Sequence, residues 1–168
     1  MSAAQLSITP ATEDDAPVVL AFIRGLAEYE RLADQCVATE ERVRESLFGP
    51  RPDAEVVIAR WDGEPVGFAL FFHNYSTFLA RRGLYLEDLF VKPEWRGRGV
   101  GGALLRHLAS IAVARECGRF EWAVLDWNES AIRVYEALGA TPQTEWTVYR
   151  LAGDALERLA REATTASP

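Results

Sequence analysis

Leu84-Tyr85-Leu86-Glu87-Asp88-Leu89-Phe90-Val91-Lys92-Pro93-Glu94-Trp95-Arg96-Gly97-Arg98-Gly99-Val100-Gly101-Gly102 is the stretch that decides how this chain folds. Its first eight residues read as a buried strand. Lys92-Pro93 turns the chain, the glycines make a loop, and Val100 opens a helix. Such a junction gathers backbone N–H groups at the positive end of a helix dipole, which is a site for a phosphate group. Glu87 and Asp88 stand inside the strand that leads there. A strand this apolar seldom carries adjacent acids for packing reasons. Phosphate cradle and carboxylates together point to an enzyme with a phosphorylated cofactor.

Outward from that stretch, the pattern gives a mixed order of elements. Leu6-Ser7-Ile8 alternates before Pro10 and predicts a short first strand. Thr12, Glu13 and Asp14 start a helix, in which Val18, Val19, Phe22, Ile23 and Leu26 recur at helical spacing. A second helix begins near Thr39, where Glu40 and Glu41 favour its N-terminal dipole, and ends near Gly49-Pro50. Glu55 to Arg60 and Val66 to Phe72 predict a hairpin turning at Asp62-Gly63. His73 to Gly83 reads as a long polar loop. A third helix is expected from Val100 to Glu116, stopped by Gly118. Then come a strand from Phe120 to Leu125, a helix capped by Asn128 or Ser130 and closed at Leu138-Gly139, a strand from Trp146 to Leu151, and a terminal helix from Asp154 to Arg161. No linker or repeat divides the chain, which predicts one domain over 1–168, a core of about 6–161, and a disordered tail from 162.

The 168 residues suffice for one ordinary core, and 49% apolar with 26% charged residues is a soluble globular composition. A net charge of −7 argues against nucleic-acid binding and suits a cationic ligand as well as simple solubility. Cys36 and Cys117 are too few for a disulfide scaffold or a metal cluster, so no metal is expected and both are expected as buried thiols. No signal peptide pattern opens the chain, and the longest apolar run, Val66 to Phe72, is too short to cross a bilayer. A cytoplasmic protein with no membrane partner is expected.

Gly97, Gly99 and Gly102 formally match the dinucleotide fingerprint GxGxxG, a weak signal by itself. That fold places its glycines directly after its first strand, whereas here two helices and a hairpin come first. A P-loop needs Lys-Ser or Lys-Thr after its last glycine, and Ala103-Leu104 stand there. The other frame is Arg96-x-x-Gly99-x-Gly101 opening a helix, with Asn128-x-x-Ala131-x-x-x-Tyr135-x-x-x-Gly139-Ala140 further on.

Both motifs resemble those of the GNAT N-acetyltransferase superfamily, and so does the whole order of elements. The resemblance implies the acyl-CoA N-acyltransferase fold, an α/β arrangement with a central, mostly antiparallel, twisted sheet flanked by helices. It also implies acetyl-CoA as cofactor. Its pyrophosphate would lie on Arg96, Gly97, Arg98, Gly99, Val100, Gly101 and Gly102, its pantetheine along the backbone of Leu89, Phe90 and Val91, with Asn128 a further contact. Tyr135 occupies the family's acid position. About Ile8 to Ala160 resembles one branch, the diamine acetyltransferases acting on spermidine/spermine and on thialysine. The matching pieces are Leu26-Ala27-Glu28-Tyr29-Glu30, Tyr85-Leu86-Glu87-Asp88, Asp126-Trp127-Asn128 and Tyr135-Glu136-Ala137-Leu138-Gly139-Ala140. Ser76-Thr77 is similar to the thialysine type, whereas the polyamine type carries an aspartate at the position of Ser76. Phe78 stands where both types use tryptophan. Relatives of this branch resemble homodimers that exchange C-terminal strand contacts, and Trp146, Val148 and Tyr149 offer apolar area for that.

An alkyl ammonium has a pKa of about 10.4 and must lose a proton before it can attack a thioester. Glu87 is the candidate base, acting through an ordered water; the resemblance puts it at that role's position, and a carboxylate in a semi-buried strand has a raised pKa. It could instead pair with Arg81 or Arg82. The backbone N–H near Leu89 is the expected oxyanion donor, and Tyr135 the acid for the leaving thiolate. Glu30 and Asp88 are candidate anchors for the cationic amine, and Ser76 and Thr77 for its polar groups. The expected function is direct acetyl transfer to a small thialysine- or lysine-like amine. The alternatives are a polyamine acetyltransferase, a protein or peptide acetyltransferase, and a non-catalytic acyl-CoA sensor. His73 could serve as a loop base, and Cys117 as an acyl carrier.

Overall fold

The computed structural model describes residues 5–165. Residues up to Glu129 form one compact unit and those from Ser130 onward a second. The first contains β1 (Leu6–Pro10), α1 (Ala16–Tyr29), α2 (Glu40–Phe48), β2 (Glu55–Trp61), β3 (Glu64–Ser76), β4 (Arg81–Val91), α3 (Val100–Ala114) and β5 (Phe120–Trp122). The strands form one sheet in the order β1-β2-β3-β4-β5. The first three pairings are antiparallel and β4–β5 is parallel, the mostly antiparallel sheet with flanking helices that the resemblance implied.

Local chemistry explains the main joints. Asp62 and Gly63 turn the β2–β3 hairpin with φ of 50° and 88°, the left-handed pair that a tight two-residue hairpin needs. The Thr39 hydroxyl accepts from the Arg42 amide and caps α2. The apolar stripe of α1 packs on the sheet, with Val19 and Phe22 buried against Phe68 and Phe90. The Phe22 and Phe68 rings stack at 5.4 Å. Leu104 and Leu108 of α3 are likewise fully buried.

Three expectations are corrected in this unit. The polar segment His73 to Gly83 is mostly strand, because β3 runs on to Ser76 and β4 begins at Arg81; only 77–80 turns. Its polar residues pair in register, Asn74 with Gly83 and Tyr75 with Arg82. β5 is shorter than expected, stopping at Trp122. Cys36 and Cys117 are free and half-buried instead of fully buried.

The second unit holds most of α4 (Glu129–Ala137) and all of α5 (Gly153–Thr165). Gly139, at φ 89°, ends α4, and the amides of Leu138 and Ala140 bond back to the Tyr135 carbonyl. The expected strand Trp146 to Leu151 is not formed: this segment is irregular and joins no ladder among the described residues. α5 continues to Thr165, so the part of the expected tail within the described residues is helical, and 166–168 lie outside them. No helix of the described residues is long and apolar enough to cross a membrane.

Candidate active site

The β4–α3 junction is built by a series of pins. Lys92 pairs with Glu64 at 3.0 Å, Pro93 opens a 3₁₀ turn over Pro93–Trp95, and Trp95 packs on Trp61 with ring centres 5.4 Å apart. Arg96 donates from Nε to the Val91 carbonyl at 3.0 Å, and the Arg98 guanidinium lies 4.7 Å from the Trp95 ring centre. The chain then passes through Gly97 and Gly99 at φ 73° and 81°. A β-carbon at either would meet nothing within 4 Å. Gly99 is the N-cap of α3 and gives it no side-chain cap, so the first-turn amides of α3 face this open space uncapped. Left-handed glycines, uncapped amides and flanking arginines fit a pyrophosphate. Arg96 has another geometry than a free phosphate ligand, being tied to backbone and stacked on the Tyr29 ring at 4.5 Å.

Upstream, β4 carries an irregularity that sets the acids apart. Leu70 pairs with Asp88 and Phe71 with Leu86, which leaves Glu87 as an extra residue without a partner on β3. On the other side, the ladder to β5 stops at Leu86 and Trp122. From Glu87 to Val91 no strand among the described residues pairs with β4 on that edge, which leaves an open strand edge there. Leu89, Phe90 and Val91 lie on this stretch.

Glu87 is exposed on the bulge. The expectation of a semi-buried Glu87 is corrected: Glu87 is exposed, and the half-buried acid of the two is Asp88. Its carboxyl is pushed up to about 6, by burial first and then by the charges of Glu87 and Glu30. Glu30, the C-cap of α1, is half-buried, and burial raises its pKa as well. Three carboxylates thus come together where α1 ends beside β4. Among the described residues no ion pair joins Glu87 to Arg81 or Arg82.

The other candidates fall elsewhere. Ser76 is buried, and its hydroxyl accepts from the Leu79 amide at 3.3 Å, closing the β3–β4 turn. Ser76 lies six residues along β3 from Leu70, the partner of Asp88, or roughly 20 Å at strand rise. Ser76 and Thr77 are therefore not brought to the three acids within one chain. A cavity of about 460 Å³ near that turn is lined by Tyr75, Arg81, Arg82, Arg115 and Glu116, a mostly cationic wall that disfavours an ammonium. His73 lies 3.4 Å from Arg115, which in turn is held by Glu55, and burial and that guanidinium keep the imidazole below its usual pKa. Cys117 follows the end of α3, where its amide bonds to Ala112. Asn128, after β5, accepts a hydrogen bond from the Tyr29 hydroxyl at 3.2 Å. Tyr135 lies on α4. The described residues hold no group of three His, Cys, Asp or Glu side chains able to bind a metal.

Tyr29 is the residue whose role the sequence pattern did not single out. It appears there only within Leu26-Ala27-Glu28-Tyr29-Glu30, and helical spacing alone does not show that its ring meets Arg96 and its hydroxyl Asn128.

Comparison with known proteins places the chain in a family. A thialysine N-epsilon-acetyltransferase of Sus scrofa is 40% identical, over 94% of this chain and 98% of its own. An L-ornithine N5-acetyltransferase of Arabidopsis thaliana is 33% identical, over 89% and 85%. Among solved structures, an integron cassette protein from the mobile metagenome of V. cholerae superposes with a TM-score of 0.79 at 26% identity, covering 93% of this chain and 98% of that one. The acetyltransferase (GNAT) family matches residues 21–140. With that match over most of its length, the chain belongs to the acetyltransferase (GNAT) family, and it is an acetyltransferase.

Proposed function

We propose that this enzyme moves an acetyl group from acetyl-CoA directly to the primary amine of a small cationic substrate, of the thialysine or lysine type. The observation that carries the reading is the pairing of two features on one strand: carboxylates at the β4 bulge, and an open glycine cradle where β4 meets α3. The first suits an ammonium and the second a pyrophosphate. The relatives named for thialysine and ornithine support an amine of this size.

Acetyl-CoA would supply the acetyl thioester. Arg98 and the amides of 97–102 would hold its phosphates, the unpaired edge of Leu89, Phe90 and Val91 its pantetheine, and Asn128 would add a contact. Asp88 and Glu30 would attract the ammonium, because Asp88 is ionised above a pH of about 6. Glu87, reachable by water on its bulge, would take the proton that makes the amine nucleophilic. The Leu89 amide would stabilise the oxyanion, and Tyr135 would return a proton to the departing thiolate. No residue need be acylated, so the transfer is direct. Ser76 and Thr77 would contact only an amine long enough to reach along the sheet. A homodimer in solution belongs to the same reading.

The test is release of the CoA thiol from acetyl-CoA with thialysine, lysine, spermidine or a generic peptide as acceptor, with Glu87→Gln and Tyr135→Phe as controls. Thialysine or lysine should turn over fastest, and both variants should lose most of that rate. Spermidine as the preferred acceptor would replace the substrate assignment with a polyamine. CoA binding with no turnover of any amine would reduce the protein to an acyl-CoA sensor.

A further inference from the structure

The end of α1 joins the two halves of the proposed site through one aromatic residue. Tyr29 is the last residue of α1. Its ring lies under the Arg96 guanidinium at 4.5 Å, and its hydroxyl donates to Asn128 Oδ1 at 3.2 Å. Arg96 is itself fixed to the Val91 carbonyl and lies 5.6 Å from the Phe90 ring centre. Two further contacts clamp the same end. Tyr29 packs on Trp127 with ring centres 6.0 Å apart, and the Arg31 guanidinium lies 5.3 Å from the centre of the same Trp127 ring. Arg31 is held at φ 62°, a left-handed conformation that costs a non-glycine residue energy and persists where surroundings fix it. Between Tyr29 and Arg31 stands Glu30, whose charge is felt by Asp88.

A residue that meets both the arginine of the phosphate loop and the Asn128 side chain contributes to the placement of each. We propose that Tyr29 is a positioning residue for the cofactor: it braces Arg96, which ties the phosphate loop to the end of β4, and it orients Asn128, so CoA affinity depends on the end of α1. This rests on the acetyl-CoA reading above.

The test is calorimetric binding of CoA to the full chain and four variants, with no turnover required. Tyr29→Phe keeps the ring under Arg96 and removes the hydroxyl. It should weaken CoA about fivefold, the value of one hydrogen bond. Tyr29→Leu removes the cation–π contact as well and should weaken CoA by tenfold or more. On an Arg96→Met background, Tyr29→Leu should cost much less than on the native chain, because the two act as a unit. A residue that merely fills space would not show that non-additivity. Should Tyr29→Leu not fold, the Phe variant alone carries the test. Native CoA affinity in the variants, with the parent binding CoA, overturns the role given to Tyr29. A parent chain that does not bind CoA overturns the cofactor reading instead.

Discussion

Glu87 and Asp88 are neighbours in the chain but not in environment: Asp88 sits opposite Leu70 in the ladder, and Glu87 stands out of it on the bulge. Burial, Glu87 and Glu30 push the Asp88 carboxyl up to about 6. A cationic amine needs Asp88 ionised. In the free enzyme, kcat/KM for the amine should therefore rise with pH through about 6 and level above it. Asp88→Asn should abolish that limb. It should also raise the amine KM by about ten- to a hundredfold, since a hydrogen bond to a charged group is worth roughly 1.5–3 kcal/mol. A pH profile of both enzymes checks this, and an unchanged acid limb in the variant would assign it to another group.

The same residue makes the opposite demand on stability. A carboxyl with a raised folded pKa binds its proton more tightly in the native state, so it favours folding while protonated. That contribution fades as pH rises from about 4 to about 6. Above pH 6 the ionised Asp88 works against the fold, and Asp88→Asn should stabilise the protein there by about 1–3 kcal/mol. Denaturant titration at pH 7.5 should show a gain in stability alongside the loss of activity. A loss of stability would mean that Asp88 is better paired than its burial implies.

Asp15 has the contrary sign. Burial would raise its carboxyl, but the Thr12 amide and the Arg60 guanidinium, 2.6 Å away, outweigh this and hold it below the usual range. Its stabilising effect is full at neutral pH and is lost as pH falls through the folded pKa. Asp15→Asn should cost about 1–2 kcal/mol at pH 7 and much less once the pH has fallen through the folded pKa. Equal costs in both conditions would show that its hydrogen bonds, not its charge, matter.

Gly99 tests the cradle. Its φ of 81° makes a β-carbon costly by about 1–2 kcal/mol, but no atom stands in the way. Gly99→Ala should therefore fold, melt a few degrees lower, and bind CoA more weakly, because the methyl enters the space assigned to the phosphates. Thermal melting separates the two effects from CoA titration. Unchanged CoA affinity would move the phosphate site away from this loop.

Local chemistry was legible in the sequence and long-range register was not. Asp62-Gly63, Gly97 and Gly99 declared their turns because backbone freedom is a property of the residue itself. The stripe from Val19 to Leu26 declared α1 by its period. The polar run Asn74 to Arg82 concealed a strand, because its partners, not its own apolarity, hold it in the sheet. Alternation alone could not tell which of Glu87 and Asp88 lies inside, since the bulge opposite Leu70 and Phe71 shifts the phase. Trp146 to Leu151 shows the reverse error: strand-like residues without a strand to pair with. Tyr29 was hidden for a different reason, as its partners Arg96 and Asn128 lie 67 and 99 residues away in the chain.

That unpaired segment also gives the homodimer its test. Trp146, Val148 and Tyr149 are 78%, 87% and 94% exposed. Three large apolar side chains so close in sequence are unusual on a free surface and would serve a dimer contact. Extended segments with strand-forming residues and open backbone groups are suited to pairing with another chain, and a closed two-fold pair is the commonest outcome for one chain type. Light scattering after size exclusion should give twice the chain mass. The combined change Val148→Asp and Tyr149→Ser should shift it to the single chain mass, while leaving the circular dichroism of the 5–129 elements intact. A parent protein that stays at single chain mass up to high micromolar concentration would remove the dimer from the functional reading, and the exposed residues would then need a different partner.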